Sequence, residues 1–260
     1  PPPPVFFHPH AATPDSVASR GLGDVYKRQL HGRKTGRGWY AYEDNKKISP
    51  PDLAVPNVRP DQVWIDPAEP EGKLALASLL EGKVVIDDGN RPGPRSVCIV
   101  TPFGKDATTA AIEAGIEPER TVAIDIMLGL DGHRTLMTTP VTDSEVRDQI
   151  HGLLAADGVG VTVIHDSPGF IAQRVIAAIV NIGCDIAQQR IATPGDIDMA
   201  VRLGLAYPKG PIELGDKIGP ARILAILEAM QEFYRDPRYR PSPWLVRRAW
   251  LGVGLSTEEG

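Results

Sequence analysis

Cysteine, aromatic residues and long apolar runs are all scarce in this chain of 260 residues. Only Cys98 and Cys184 are present, and 6% of the residues are aromatic. One cysteine lies in an apolar strand pattern and the other on an apolar helix, which suits core thiols in a reducing compartment better than a disulfide framework. No run of 18 apolar residues occurs, so no membrane-spanning helix is predicted. We expect a soluble, cytoplasmic protein.

Basic charge and histidine are also limited. The 28 Lys and Arg residues are outnumbered by 33 Asp and Glu residues, which gives a formal net charge of −5. This balance argues against nucleic acid or an anionic membrane as the main partner. The six histidines are scattered without metal-ligand spacing, so no metal site is predicted.

Proline, by contrast, is abundant and divides the chain. Prolines crowd residues 1–14 without an apolar period, and residues 21–29 resemble translated sequencing-adapter sequence. We predict that residues 1–29 are a disordered or artefactual leader and not a signal peptide. Further prolines at 50, 51, 56 and 60 predict a linker over residues 45–60.

Residues 61–166 alternate between strand and helix patterns. Strands are predicted at 62–65, 83–87, 96–101, 121–126 and 160–165, and helices at 72–80, 106–114 and 143–156. Such alternation predicts an α/β fold, a reduced Rossmann-like parallel sheet covered by helices.

The turn after the first predicted strand, D-P-A-E-P-E-G at residues 66–72, decides whether this sheet binds a dinucleotide. Close approach of a pyrophosphate requires glycines and an uncovered helix N-terminus. Here the turn has one glycine and three carboxylates, which would repel a phosphate. We expect no cofactor on this chain.

Residues 167–255 read as an all-α domain. Ser167 as N-cap and Pro168 at the first position predict a helix over 168–190, with an apolar face from Phe170 to Ile186. Four more helices, each opening on proline, are predicted at 194–203, 211–218, 220–234 and 243–251.

The nonapeptide D-S-P-G-F-I-A-Q-R at residues 166–174 resembles the start of the C-terminal domain of the NAD-dependent 3-hydroxyacyl-CoA dehydrogenases, whose pattern is D-(S/T)-P-G-F-x-x-N-R. Gln173 stands where the family has Asn. Further family motifs follow in order: A-T-P at 192–194, D-I-D at 196–198, P-K-G-P-I-E-L at 208–214 and D-P-R-Y-R-P-S-P at 236–243.

A second part of the family pattern lies near the front. G-R-K-T-G-R-G-W-Y-A-Y at residues 32–42 resembles the end of such a helical domain, so residues 30–44 are identified as the tail of a first copy. This order resembles the longer bacterial members, in which a degenerate Rossmann-like domain (here 61–166) and a second helical domain (here 167–255) follow the catalytic half.

The resemblance implies a parent enzyme that oxidises a 3-hydroxyacyl-CoA to the 3-oxoacyl-CoA with NAD, in fatty-acid or aromatic-acid degradation. The family's general base His, its orienting Glu and its helical-domain Asn align with Asp125, Met137 and Gln173. Asp is a weaker base than His at its ordinary pKa, and Met cannot orient a base by hydrogen bonding. The resemblance therefore implies that no catalytic residue is intact and that NAD binds only to the full-length parent.

Two other functions remain open. The first is a structural module that mimics a dimer, because helical domains of this family pair, here within one chain or between two. The second is a residual acyl-CoA site in which Ser167 and Gln173 contact the substrate, with Gln173 as hydrogen-bond donor.

Overall fold

The computed structural model describes residues 33–37, 40–44, 46–48, 54–257 and 259. The predicted leader and part of the predicted linker lie outside these residues. The chain divides into two compact units, residues 1–54 and 55–260. In the first unit, a 3-10 turn at Arg33–Thr35 precedes an antiparallel hairpin of β1 (Ala41–Glu43) and β2 (Lys46–Ile48).

The second unit begins with a six-stranded sheet. Its strands are β3 (Gln62–Ile65), β4 (Val85–Asp87), β5 (Val97–Val100), β6 (Thr121–Ile124), β7 (Arg134–Thr138) and β8 (Val161–Ile164). Their spatial order is β4-β3-β5-β6-β7-β8, and every neighbouring pair is parallel except β6 and β7. The predicted Rossmann-like sheet is confirmed, but it is mixed and not all parallel, because β7 and β8 run opposite to the other four strands.

Strand β7 was not predicted from the sequence. Leu136 and Met137 are both fully buried, although they face opposite sides of the sheet, so the strand shows no apolar and polar alternation. Arg134, at its first position, is also buried. Because this residue is charged, the sequence pattern indicates a polar segment and not a buried strand.

Helices cover both faces of the sheet. Apolar side chains of α1 (Pro70–Leu80) and α3 (Ser144–Leu154) pack with Val63 and Ile99 on one face. The small side chains of α2 (Ala107–Ala114) pack with Cys98 and Met137 on the other. Because neighbouring residues of a strand point to opposite faces, each buried strand contributes to both layers.

The helical part contains α4 (Ala172–Gln188), α5 (Pro194–Leu205), α6 (Pro211–Ile218), α7 (Pro220–Tyr234) and α8 (Pro243–Leu251). These helices share one apolar cluster, in which Val180, Cys184, Ile226 and Leu245 are all fully buried. Proline occupies the first turn of α5, α6, α7 and α8, as the sequence predicts.

The start of α4 differs from the prediction by four residues. Gly169 and Phe170 have φ values of 77° and 46°, and two consecutive left-handed residues cannot belong to a right-handed helix. Ser167 is therefore not the N-cap; Ile171 takes that position without a side-chain cap. Phe170 leaves the predicted helix face and packs into the sheet cluster, where it is 1% exposed.

Candidate functional site

Gln173 and Asp125, two of the residues aligned with the family's catalytic positions, are in direct contact. Gln173 Nε2 donates to Asp125 Oδ1 at 2.9 Å and to the Pro102 carbonyl oxygen at 3.1 Å, and Gln173 Oε1 accepts from the Gly104 N–H at 2.8 Å. The Gln173 side chain is fully buried. Both amide donors are therefore committed to groups of the chain itself.

Asp125 follows β6 and is half-buried. Its Oδ1 also accepts from the Met127 N–H at 3.0 Å. Burial raises the pKa of Asp125 above its usual value, and the hydrogen bonds from Gln173 and Met127 offset part of that rise. The carboxylate can accept a proton, but the donor nearest to it is the Gln173 amide, which connects α4 to the sheet.

Met137, aligned with the orienting Glu, lies on β7 opposite Ala123 and is fully buried. Its thioether accepts a hydrogen bond from the Ser167 N–H at 3.1 Å. Met137 therefore positions the backbone of Ser167 through a weak acceptor, which is a different role from the orientation of a catalytic base.

The remaining polar groups of the nonapeptide also bind the chain itself. Asp166 accepts from the Ala107 N–H at 2.8 Å and from the Thr108 hydroxyl, so it caps α2. Arg174 Nη2 donates to Ser167 Oγ at 2.7 Å and to the Tyr234 hydroxyl at 2.9 Å. The cap and the contact between Arg174 and Tyr234 were not anticipated from the sequence, because their partners lie 59 and 60 positions away along the chain.

A cleft of about 250 Å³ lies at the carboxyl ends of β3 and β5, where the strand order reverses. Ligands of doubly wound sheets bind at such switch points. Asp66, Glu69, Thr101, Phe103 and Lys105 are among its lining residues.

In the turn that borders this cleft, two acidic side chains bind groups of the chain itself. Asp66 Oδ1 accepts from the Ala68 N–H at 3.1 Å, so the turn uses its own carboxylate as an acceptor. In the first turn of α1, Glu71 forms an ion pair with Arg222 of α7. A carboxylate at a helix N-terminus occupies the electrostatic position that a phosphate would take.

Gly72, the single glycine of this turn, serves helix packing. A Cβ atom added to Gly72 would lie 2.0 Å from Thr101 Oγ1, so α1 approaches the end of β5 more closely than any other residue permits. The glycine therefore sets the distance between helix and sheet.

The two cysteines are core residues. Burial raises the pKa of Cys98 to about 11 and that of Cys184 to about 12. Thiols with such values remain protonated near neutral pH and are poor nucleophiles. Among the residues that the structure describes, no three His, Cys, Asp or Glu side chains form a group able to hold a metal ion.

No helix in the described part of the chain is both long and apolar enough to cross a bilayer.

Comparison with known proteins identifies the helical part. The family model described as "3-hydroxyacyl-CoA dehydrogenase, C-terminal domain" matches residues 169–260. The 3-hydroxyadipyl-CoA dehydrogenase of Escherichia coli is 41% identical over 115 residues, which are 44% of this chain and 24% of that protein. The 3-hydroxybutyryl-CoA dehydrogenase of Bradyrhizobium diazoefficiens is 32% identical over 55% of this chain and 50% of that protein.

A solved structure is similar over a larger share of the chain. The crystal structure of 3-hydroxybutyryl-CoA dehydrogenase from E. coli K12 matches with a TM-score of 0.63 and 27% identity, over 88% of this chain and 43% of that one. The matches with these relatives span between about a quarter and a half of their length. Residues 169–260, behind the Rossmann-like sheet, thus match the C-terminal domain of the 3-hydroxyacyl-CoA dehydrogenases.

Proposed function

We propose that this chain is the C-terminal portion of a cytoplasmic, NAD-dependent 3-hydroxyacyl-CoA dehydrogenase, and that its own half is non-catalytic. The parent oxidises a 3-hydroxyacyl-CoA in fatty-acid or aromatic-acid degradation. Residues 30–44 end a first helical domain, residues 45–60 link it to the degenerate sheet at 61–166, and residues 167–255 form the second helical domain.

One observation carries this proposal: Gln173, aligned with the family's Asn, has both amide donors bound to Pro102 and Asp125 inside the protein. A catalytic amide has to present a donor to the substrate. Here the same amide joins α4 to the ends of β5 and β6. The acidic turn at Asp66–Gly72 supports the proposal independently, because Glu71 and Arg222 form an ion pair at the α1 N-terminus.

The test is a fluorescence titration of the purified chain with NADH. The E. coli 3-hydroxybutyryl-CoA dehydrogenase, measured under the same conditions, serves as the control for cofactor binding. We expect no saturable signal from this chain. Micromolar binding would contradict the proposal and would require an assay of the chain as a dehydrogenase.

A second role, pairing of helical domains, is favoured by exposed apolar side chains on α4. Ile171, Val175 and Ile182 are 58%, 51% and 60% exposed and lie on one side of the helix. Exposed apolar surface of this kind marks association sites. The partner is the first helical domain of the parent or a second copy of this chain.

Light scattering after size-exclusion chromatography tests this role over a range of concentrations. We expect concentration-dependent dimers of the isolated chain, which Ile182→Lys abolishes. Ile112→Lys makes the same change at a residue on α2 that is 67% exposed, and should leave the dimer intact. A wild-type monomer at all concentrations would contradict self-association.

For the residual acyl-CoA site, Gln173 would have to leave its present partners before it could bind a thioester. Ser167 is half-buried and its Oγ already accepts from Arg174. Isothermal titration with acetoacetyl-CoA decides the matter: this alternative requires binding that Gln173→Ala weakens, whereas the non-catalytic scaffold predicts no binding.

A further inference from the structure

The cleft between β3 and β5 has no role in the function proposed above. It lies on the edge of the sheet where doubly wound folds bind their ligands, and its volume of about 250 Å³ suits a molecule of a few heavy atoms. Its wall combines apolar surface from Trp64, Pro102 and Phe103 with several charged side chains.

The positive groups that line the cleft are already bound to other groups. Arg91 Nη1 donates to the Ala114 carbonyl oxygen at 2.5 Å and to that of Gly115 at 3.2 Å, which closes the C-terminal end of α2. Lys105 Nζ lies 2.5 Å from Glu113 Oε2. Both cations therefore have partners within the protein, Arg91 through two carbonyl oxygens and Lys105 through a carboxylate.

Two carboxylates of the cleft, by contrast, can still accept hydrogen bonds. Asp66 has one carboxylate oxygen in a turn hydrogen bond, and the Glu69 carboxylate makes no hydrogen bond within the described residues. Burial raises the pKa of Glu69, with Arg222 acting in the opposite direction. In and beside the cleft, four carboxylates outnumber three cations, which leaves one negative charge in excess. The carboxylates are those of Asp66, Glu69, Glu71 and Glu113, and the cations are Arg91, Lys105 and Arg222.

A buried acceptor lies in the same wall. Thr101 lines the cleft and is 2% exposed, and its hydroxyl oxygen has no hydrogen-bond partner in the part of the chain that the structure describes. A buried polar atom without a partner is unfavourable, and an N–H donor from a ligand would satisfy it. The hydroxyl lies beside Gly72, in the first turn of the helix that Glu69 precedes.

We propose that this cleft binds a small organic monocation, an alkylammonium or alkylguanidinium, whose charged head pairs with Glu69 and Asp66 and whose alkyl part contacts Trp64 and Phe103. The excess of one carboxylate in and beside the cleft, together with the oxygens that Asp66 and Glu69 still have available, selects positive charge. The apolar wall favours a cation that carries an alkyl group over a hydrated metal ion, since Trp64 and Phe103 offer no oxygen ligands.

The probe is n-propylguanidinium, with n-propylurea as its uncharged isostere. Binding is followed by NMR on the indole N–H of Trp64, which donates to the Gly89 carbonyl oxygen at 2.7 Å at the edge of the cleft. Trp64→Phe assigns that signal. We expect a saturable shift with propylguanidinium and none with propylurea.

Charge-neutral variants locate the binding site. Glu69→Gln should weaken binding by about tenfold, the effect of losing one favourable charge interaction in a half-buried site. Glu145→Gln makes the same change at an exposed residue of α3 and should leave the affinity unchanged. Asp66→Asn is a second test should Glu69→Gln not fold.

The inference is overturned by the absence of a saturable shift, by equal binding of propylurea, or by an unchanged affinity of both cleft variants. NADH binding, measured separately, would contradict the non-catalytic half without any effect on this result. The two proposals therefore fail independently.

Discussion

Gln173 Nε2 donates a hydrogen bond of 2.9 Å to Asp125 Oδ1, and so joins the first turn of α4 to the end of β6. The contact links residues 48 positions apart at the junction of the sheet and the helical layer. Its consequences for stability can be measured without knowledge of any substrate.

Gln173→Ala should lower the free energy of unfolding by about 3 kcal/mol. The change leaves the Gly104 N–H and the Pro102 carbonyl without their partner and opens a cavity in a fully buried site. Urea denaturation measures the loss. Gln149→Ala, at a residue whose hydrogen bond to Glu145 is exposed, should cost less than about 0.5 kcal/mol. Equal costs for the two variants would contradict a clamping role for Gln173.

Asp125→Asn should increase stability at neutral pH, on the order of 1 kcal/mol. Burial raises the pKa of Asp125 in the folded state above its ordinary value of 3.8. A raised carboxyl pKa gives stability that is present below the unfolded value and lost as the pH rises through the folded value. Asn keeps the acceptor for Gln173 without the charge, so its advantage should appear near pH 7 and shrink towards pH ~4.

Urea unfolding at several pH values measures the Asp125→Asn effect. Asp131→Asn, at an exposed carboxylate, provides the comparison and should show little change. A stability gain that is the same at every pH would mean that charge burial is not its cause.

Asp157→Asn should change stability in the opposite direction and destabilise the protein at neutral pH. Arg134, whose side chain is 2% exposed, binds both Asp157 oxygens, at 2.8 and 2.7 Å, and this hydrogen bonding lowers the pKa of Asp157 to about 2. A lowered pKa gives stability that is present above the ordinary value of 3.8 and lost as the pH falls towards about 2.

The expected cost of Asp157→Asn at neutral pH is about 2 kcal/mol, less than for a fully buried pair because the Asp157 side chain is 31% exposed. Thermal unfolding near pH 7 and near pH ~3 measures it, and the gap between variant and wild type should narrow at the lower value. Asp88→Asn removes an exposed carboxylate and serves as the control.

Gly72→Ala should destabilise the protein by about 2 kcal/mol, because its Cβ would lie 2.0 Å from Thr101 Oγ1. Gly195→Ala is the matched change in α5, where a Cβ meets nothing within 4 Å. Helix propensity should make that variant more stable by up to about 1 kcal/mol. Opposite shifts of the melting temperature would confirm that Gly72 is required for close packing of α1.

The sequence predicts those elements whose signal is local. Strand β5 is four consecutive apolar residues, Val97–Val100, and each is buried. Strand β7 escapes prediction because its apolar residues face two layers and its first residue is a buried arginine. The start of α4 misleads, because Ser167-Pro168 is a good helix-opening pair, while the left-handed Phe170 carries no sequence signal.

Of the candidate site, too, the sequence predicts one part and not another. The family pattern aligns Asp125, Met137 and Gln173 with catalytic positions, and the structure brings Asp125 and Gln173 into contact. The pairing of Arg222 with Glu71 could not be predicted, because it joins residues 151 positions apart on different layers. Long-range ion pairs of this kind depend on how helices pack, which local patterns do not determine.

The left-handed pair Gly169 and Phe170 has a rotational consequence for Gln173. Successive side chains of an α-helix project about 100° apart around its axis. With the helix starting at Ala172, Gln173 is its second residue and points towards the loop at Pro102–Gly104. A shift of the helix register by one residue would turn this side chain by about 100°, away from its present partners. The left-handed Gly169 and Phe170 end the preceding segment, so the register of α4 begins after them.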